Sequence, residues 1–312
     1  MFALALAGCA SVPPPAVCTM DPADRAWLEA ALLRWEHASG SWLRLAHEPL
    51  PTVLTADRHC AYTLTGGEFG QMSALPHNGA TFPAGGADLP LGPVSFADGP
   101  DRFVMTLPSV WRAAGVTSEV GLEQLMQGVL LHEIMHTRQA GLAAQSLASI
   151  EQRSGLGGDL SDDNIQEHFA EDTAYRAAYE AERDLLFAAA AAPTDAEART
   201  LARTALHSLR DRRARFFTGP NGWLEDADDV FLSMEGTGQW LIYRDLVAAD
   251  GPALGAPEAL VAVRRGGRFW SQDEGLALML VVDRLLPDWK ARAFREPDWR
   301  AERMLAAAVG DE

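Results

Sequence analysis

Residues 129–137 read Val-Leu-Leu-His-Glu-Ile-Met-His-Thr, and no other stretch limits the possible folds so strongly. On an α-helix, positions four apart stand one above the other on one face, so His132 and His136 can aim both imidazoles at a single point. Glu133 stands beside them, where a carboxylate can take a proton from a water held at that point. Leu122, Leu125, Met126, Val129 and Leu130 recur at helical spacing. Leu131, Ile134 and Met135 make the other side apolar too, so this is a helix to be buried. Ser118 reads as its N-cap, Glu119 as first-turn acid and Gly141 as its stop, which predicts a helix over about 119–140. Two imidazoles and a carboxylate buried without partners would be costly. Imidazole and carboxylate donors with an open coordination position suit Zn2+. The competing reading, two core histidines in a chance match, has to explain three fixed residues, a helix and an apolar frame together.

The rest of the chain must supply further ligands and a core. Its 312 residues are 48% hydrophobic and 22% charged, an ordered globular composition with length for one large domain or two lobes. A net charge of −17 argues against a nucleic-acid partner, whose phosphates such a surface repels.

Met1 to Ala7 is short and apolar and runs into Gly8-Cys9. Leu6-Ala7-Gly8-Cys9 resembles the lipobox of bacterial lipoproteins, although the usual basic start is missing. The resemblance implies cleavage before Cys9, a lipid on that cysteine and a periplasm-facing protein anchored to a membrane of the bacterial cell envelope. A non-lipidated secretion signal is the alternative. Val12 to Ala16, with three successive prolines, reads as a stiff tether. With Cys9 lipidated, Cys18 and Cys60 remain to pair as a disulfide in an oxidising compartment or to stay free.

In chain order, Asp21-Pro22 opens a helix whose buried stripe is Trp27, Leu28, Ala31, Leu32 and Trp35, ending near Ser39-Gly40. Residues 50–110 are rich in Pro and Gly. Their short apolar runs, 52–54, 60–64, 94–96 and 103–107, read as strands of a small mixed sheet. Phe103 to Leu107 stops at Pro108 and reads as an edge strand. The Gly- and Pro-rich stretch from His77 to Asp101 reads as a flap or an ordinary surface loop. Beyond the metal helix, Ser161 to Asn164 caps a helix running through Phe169 and Tyr175 to Phe187. Thr194-Asp195 caps another, with a stripe of Leu201, Ala202, Leu206 and Leu209. The arginines of 210–215 read as a solvated, ion-paired face, and two Glu-Gly pairs, at Glu235 and Glu274, each open a helix.

Two histidines leave a catalytic zinc one protein ligand short. His168 lies too far along for the compact three-histidine pattern. Met234-Glu235-Gly236-Thr237-Gly238-Gln239-Trp240, together with the earlier H-E-x-x-H, resembles the gluzincins, the zinc peptidases whose third ligand is a glutamate on a later helix. The resemblance implies an α+β, predominantly helical zincin-like fold, His132, His136 and Glu235 on Zn2+, and Glu133 as general base against a peptide or protein substrate. Glu235 lies 99 residues beyond His136, a longer gap than in thermolysin. Rivals for the third position stay open. Glu167 and Glu171 lie in a segment similar to a thermolysin motif, Glu182 precedes Leu185-Leu186, and Glu274 has its own glycine. Tyr243, on the Glu235 helix, is the candidate to hydrogen-bond the oxyanion, against a role in the core. The expected organisation is a signal and tether over 1–20 and one zincin-like domain over 21–312, with sheet and metal helix in 21–145 and a helical lobe in 146–312. The competing function is a catalytically inactive zincin scaffold serving as an envelope binding or structural protein.

Overall fold

Side chains alternate between the two sides of a strand, so a sheet covered on both faces needs nearly continuous apolar runs. Thr52–Ala56 (β1), Cys60–Leu64 (β2) and Arg102–Thr106 (β7) are such runs. The computed structural model describes residues 18–45 and 49–311. The lipobox around Cys9 and the Val12–Ala16 tether lie outside them. With Met72–Pro76 (β3), Thr81–Ala84 (β4), Ala87–Pro90 (β5) and Ser95–Ala97 (β6), the larger sheet has the order β3-β2-β1-β7-β6. It is mixed: β1 runs parallel to β7, and the other pairs are antiparallel. Val53, Tyr62, Phe103 and Met105 face the main core. Leu54, Ala61 and Val104 face the other way, onto Phe82 and Ala84 of the β4–β5 hairpin.

Two strand expectations change. β7 is internal rather than an edge, because Pro108 lies beyond the ladder as the first residue of the helix Pro108–Ala113 (α2), where a missing N–H costs nothing. The edge is β6. The 77–101 stretch is largely that seated hairpin, and within it Pro93 and Ser95 reach the cavity described below.

The helices account for most of the remaining chain, giving an α+β, predominantly helical molecule. Pro22–His37 (α1) starts as read, with Asp21 accepting the Ala23 N–H at 2.8 Å. Leu122–Ser154 (α3) is longer than the sequence suggests. It begins after Gly121, not at Ser118, and passes through Gly141 to Gly155, whose φ of 72° closes it. Helical backbone tolerates Gly141 at a cost of about 1 kcal/mol, which burial along the same helix offsets. Asn164–Phe169 (α4) and Thr173–Ala191 (α5) replace the single expected helix, because Asp172 caps α5 by accepting from Ala174 and Tyr175. Asp195–Phe216 (α6) is capped by Thr194 as read. Leu224–Val247 (α7), Ala256–Arg264 (α8), Trp270–Leu285 (α9), Lys290–Ala293 (α10) and Ala301–Val309 (α11) complete the chain. Among the described residues no helix is long and apolar enough to cross a membrane.

Arg212 and Arg213 overturn the solvated-face reading of 210–215, since both are buried. Arg212 donates to Glu182 at 2.9 and 3.1 Å, to Glu274 at 3.1 Å and to the Tyr175 hydroxyl at 2.6 Å. Arg213 donates to Asp228 at 2.9 Å. A guanidinium carries five N–H donors in a fixed fork, and only it could satisfy so many buried carboxylates at once. The cluster ties α5, α6, α7 and α9 together. A second tie joins α1, α3 and α7: Asp245 accepts from Arg34 at 2.5 Å, Gln124 at 2.7 Å and Gln127 at 2.9 Å. Cys18 and Cys60 stand at disulfide distance, with sulfurs 2.11 Å and Cα atoms 5.8 Å apart.

Candidate metal centre

Helix α3 presents His132 and His136 on one face, their ring centroids 4.5 Å apart. Helix α7 crosses α3 and brings up Glu235. The His132 Nε2 lies 3.1 Å from Glu235 Oε2, and the His136 Nε2 lies 3.1 Å from Glu235 Oε1. Among the described residues these three are the grouping able to hold a metal ion, with one ligand atom from each within 4.8 Å of the others. Glu235 sits in the middle of α7 rather than at a helix start, because α7 already begins at Leu224.

Two glycines of the 234–240 segment make this approach possible. A Cβ on Gly236 would lie 2.5 Å from the Gly275 carbonyl oxygen, so α7 and α9 touch backbone to backbone. A Cβ on Gly238 would lie 2.5 Å from Nδ1 of His132. Gly238→Ala is expected to push the His132 ring out of line and to weaken any metal binding by the triad about 10- to 100-fold, the cost of disturbing a ligand's support. Zinc titration of the purified variant measures this, and unaltered affinity would show that the ring has room to spare.

The donor chemistry fits a tetrahedral cation. Ligands at about 2.0–2.1 Å from one ion sit roughly 3.3 Å from each other, close to the two 3.1 Å contacts. Burial disfavours charge on both partners, yet Glu235 holds His136 up to about 9. Burial also opposes the Glu235 carboxylate, but the two imidazoles outweigh it and keep the acid well below its usual range. The carboxylate thus requires positive charge on its imidazole side. The Nδ1–H of His136 donates to Gln139 Oε1 at 3.1 Å, which turns Nε2 toward Glu235, where it is a proton donor in the charged ring and a metal-binding nitrogen in the neutral one. Sequence reading missed Gln139, although its place three residues after a candidate ligand on the same helix was a usable signal.

A cavity of about 730 Å³ opens over this cluster. Glu133 lines it, as do Ser95 of the β6 edge, Asp162 and Gln239. Burial raises the Glu133 carboxyl, the two histidines pull it back, Glu235 raises it further, and a hydrogen bond from the Ala97 backbone amide lowers it. Asp162, which the sequence offered only as part of a cap, is pushed up to about 7 by burial and then by Glu235.

The other expected site residues fall elsewhere. Tyr243 packs against the main core and is not in the cavity lining. Glu167 and Glu171 are exposed. Glu182 and Glu274 are buried on Arg212, turned to the arginine rather than to the histidines. No family model matches this chain, and neither a curated protein nor a solved structure matches it.

Proposed function

We propose that this chain is a zinc-dependent hydrolase of the gluzincin type, a peptidase acting by water attack on an amide. The observation that carries the reading is the joint placement of Glu133 in the cavity wall and of the His132–His136–Glu235 cluster beneath it. Zinc in such a centre supplies a Lewis acid that polarises the scissile carbonyl and lowers the pKa of water from about 15.7 to about 7. Glu133 takes the proton of the attacking water and returns it to the leaving amine, so the base is regenerated each turnover. Glu133 is free for this because the metal cluster is complete without it. Apart from the Ala97 N–H that Glu133 holds, the outer edge of β6 offers backbone groups to an extended substrate. A purely structural site gains nothing from a base in an open cavity, which weighs against the inactive-scaffold alternative. A lipid anchor at Cys9 and a place in the bacterial envelope belong to the same proposal.

Metal removal tests it. Dialysis against a chelator is expected to end hydrolysis of a peptide library, and equimolar zinc to restore it. Zinc at 100 times its Kd is also expected to stabilise the fold by about 2.7 kcal/mol, seen as a raised Tm. A chain that takes up no zinc and melts unchanged in its presence would return the protein to the scaffold reading.

A further inference from the structure

The cavity wall holds two arginines that the proposed hydrolysis does not use. Arg265 and Arg268 both line it, on the short connection between α8 and α9. Neither has a carboxylate partner among the described residues, although the chain has 43 acidic residues against 26 basic ones. Arg268 stacks on Phe269, its guanidinium carbon 4.9 Å from the ring centroid. Arg265 loses hydration in the cavity and feels Arg268, and both effects lower its pKa. Both side chains are exposed to solvent at the cavity wall, so two like charges near one another are open to an entering anion.

The connection is built to hold them there. Arg264 grips Asp273 through two hydrogen bonds of 2.8 and 3.0 Å, which fixes the end of α8 to the start of α9. Arg265 itself adopts a left-handed conformation, φ 48°, a region that few side-chain-bearing residues occupy. Gly266 and Gly267 follow with φ of 72° and 68°, and a Cβ on Gly267 would meet the Asp273 carboxylate at 2.9 Å. The left-handed residue is the C-cap of α8, and the Arg264–Asp273 pair anchors the turn that carries both arginines.

Gln239, in the same wall, is held in place by donating its Nε2 to Gln272 Oε1 at 2.8 Å. A peptide supplies a carboxylate for the arginines.

We propose that Arg265 and Arg268 form a carboxylate-binding subsite, so the cavity selects peptides bearing a free carboxylate. The proposal rests on the hydrolase reading for its substrate but not for its test. Guanidinium forks pair with carboxylates through parallel N–H···O bonds and exclude the neutral amide, which has only one acceptor oxygen. The carboxylate can come from an acidic side chain or from a chain terminus.

Binding is measured by calorimetry on the zinc-loaded Glu133→Gln full-length chain, which separates recognition from turnover. The probes are Ac-Ala-Ala-Glu-Ala-amide, Ac-Ala-Ala-Gln-Ala-amide and Ac-Ala-Ala-Gln-Ala as free acid. One of the two acids is expected to bind at least about ten-fold more tightly than the neutral peptide, as charge-assisted bidentate pairs do. The acid that gains identifies the source of the carboxylate. Arg268→Gln and Arg265→Asn are each expected to bring the acid-to-neutral affinity ratio down to near one. Asparagine keeps the left-handed backbone at 265, so a fold defect does not obscure the result. Equal binding of all three peptides, or a ratio unaltered in both variants, overturns the subsite. Hydrolysis by the unmodified protein without that ratio sinks the subsite alone. A clear ratio with no hydrolysis sinks the hydrolase reading and keeps the subsite.

Discussion

Glu133→Gln is expected to retain its zinc and to lose peptide hydrolysis by about 10²–10⁴-fold in kcat, the range that general-base catalysis supplies. Glutamine has the same shape and nearly the same volume. It still hydrogen-bonds, but it cannot hold the proton that water gives up. Zinc uptake should be unaffected because His132, His136 and Glu235 already supply the ligand atoms, all within 4.8 Å. The hydrogen bond from the Ala97 amide to residue 133 can be kept by the glutamine carbonyl oxygen, so the β6 edge should not move. Metal content by atomic emission and single-turnover hydrolysis give the two halves of the test. Substantial turnover in a zinc-replete variant would remove Glu133 from the mechanism. Loss of zinc would mean that Glu133 belongs to the metal cluster.

Arg212→Met is expected to destabilise the protein by about 3–5 kcal/mol, the cost of stranding a buried charge network by removing one partner. The guanidinium sits among Glu182, Glu274 and Asp228, each within 3.3 Å. Burial already raises the Glu274 carboxyl well above its usual range, with Arg212 the first influence against it. Take the arginine away, and the neighbouring acids are left to repel one another in an apolar surrounding. Methionine fills part of the space, so the loss is mainly electrostatic. Urea unfolding measures the change. Adding Glu182→Gln and Glu274→Gln to Arg212→Met should recover much of it, because the stranded charges go too. A shift of less than about 1 kcal/mol for Arg212→Met, the usual size for a surface ion pair, would show that water reaches this cluster. The effect should extend to the metal centre. Arg212 and Arg213 fasten α7, and α7 carries Glu235.

These two sites divide what could be read in advance from what could not. The H-E-x-x-H helix was legible because its information is local. Spacing of four residues fixes a shared face whatever the rest of the chain does. The strand runs of β1, β2 and β7 were legible for the same reason, by their unbroken apolar character. Element ends were less so. Gly141 and Ser118 had the right chemistry for a stop and a start, yet burial of α3 against sheet and helices carries it past the first and begins it after the second.

Glu235, Glu182 and Glu274 marked the limit. All three are glutamates on buried helix faces, and periodicity reports burial without saying which cation a buried carboxylate will meet. Sequence alone put two imidazoles on one face of a buried helix and gave Glu235 a fuller motif than the partial matches at Glu167, Glu171 and Glu274. The tertiary structure decided the outcome: Arg212 claims Glu182 and Glu274, Gly236 lets α7 lie against α9, and Gly238 leaves room for the His132 ring beside Glu235. The reason is that a buried charge is settled by its partner, and those partners lie 30 to 103 residues away along the chain.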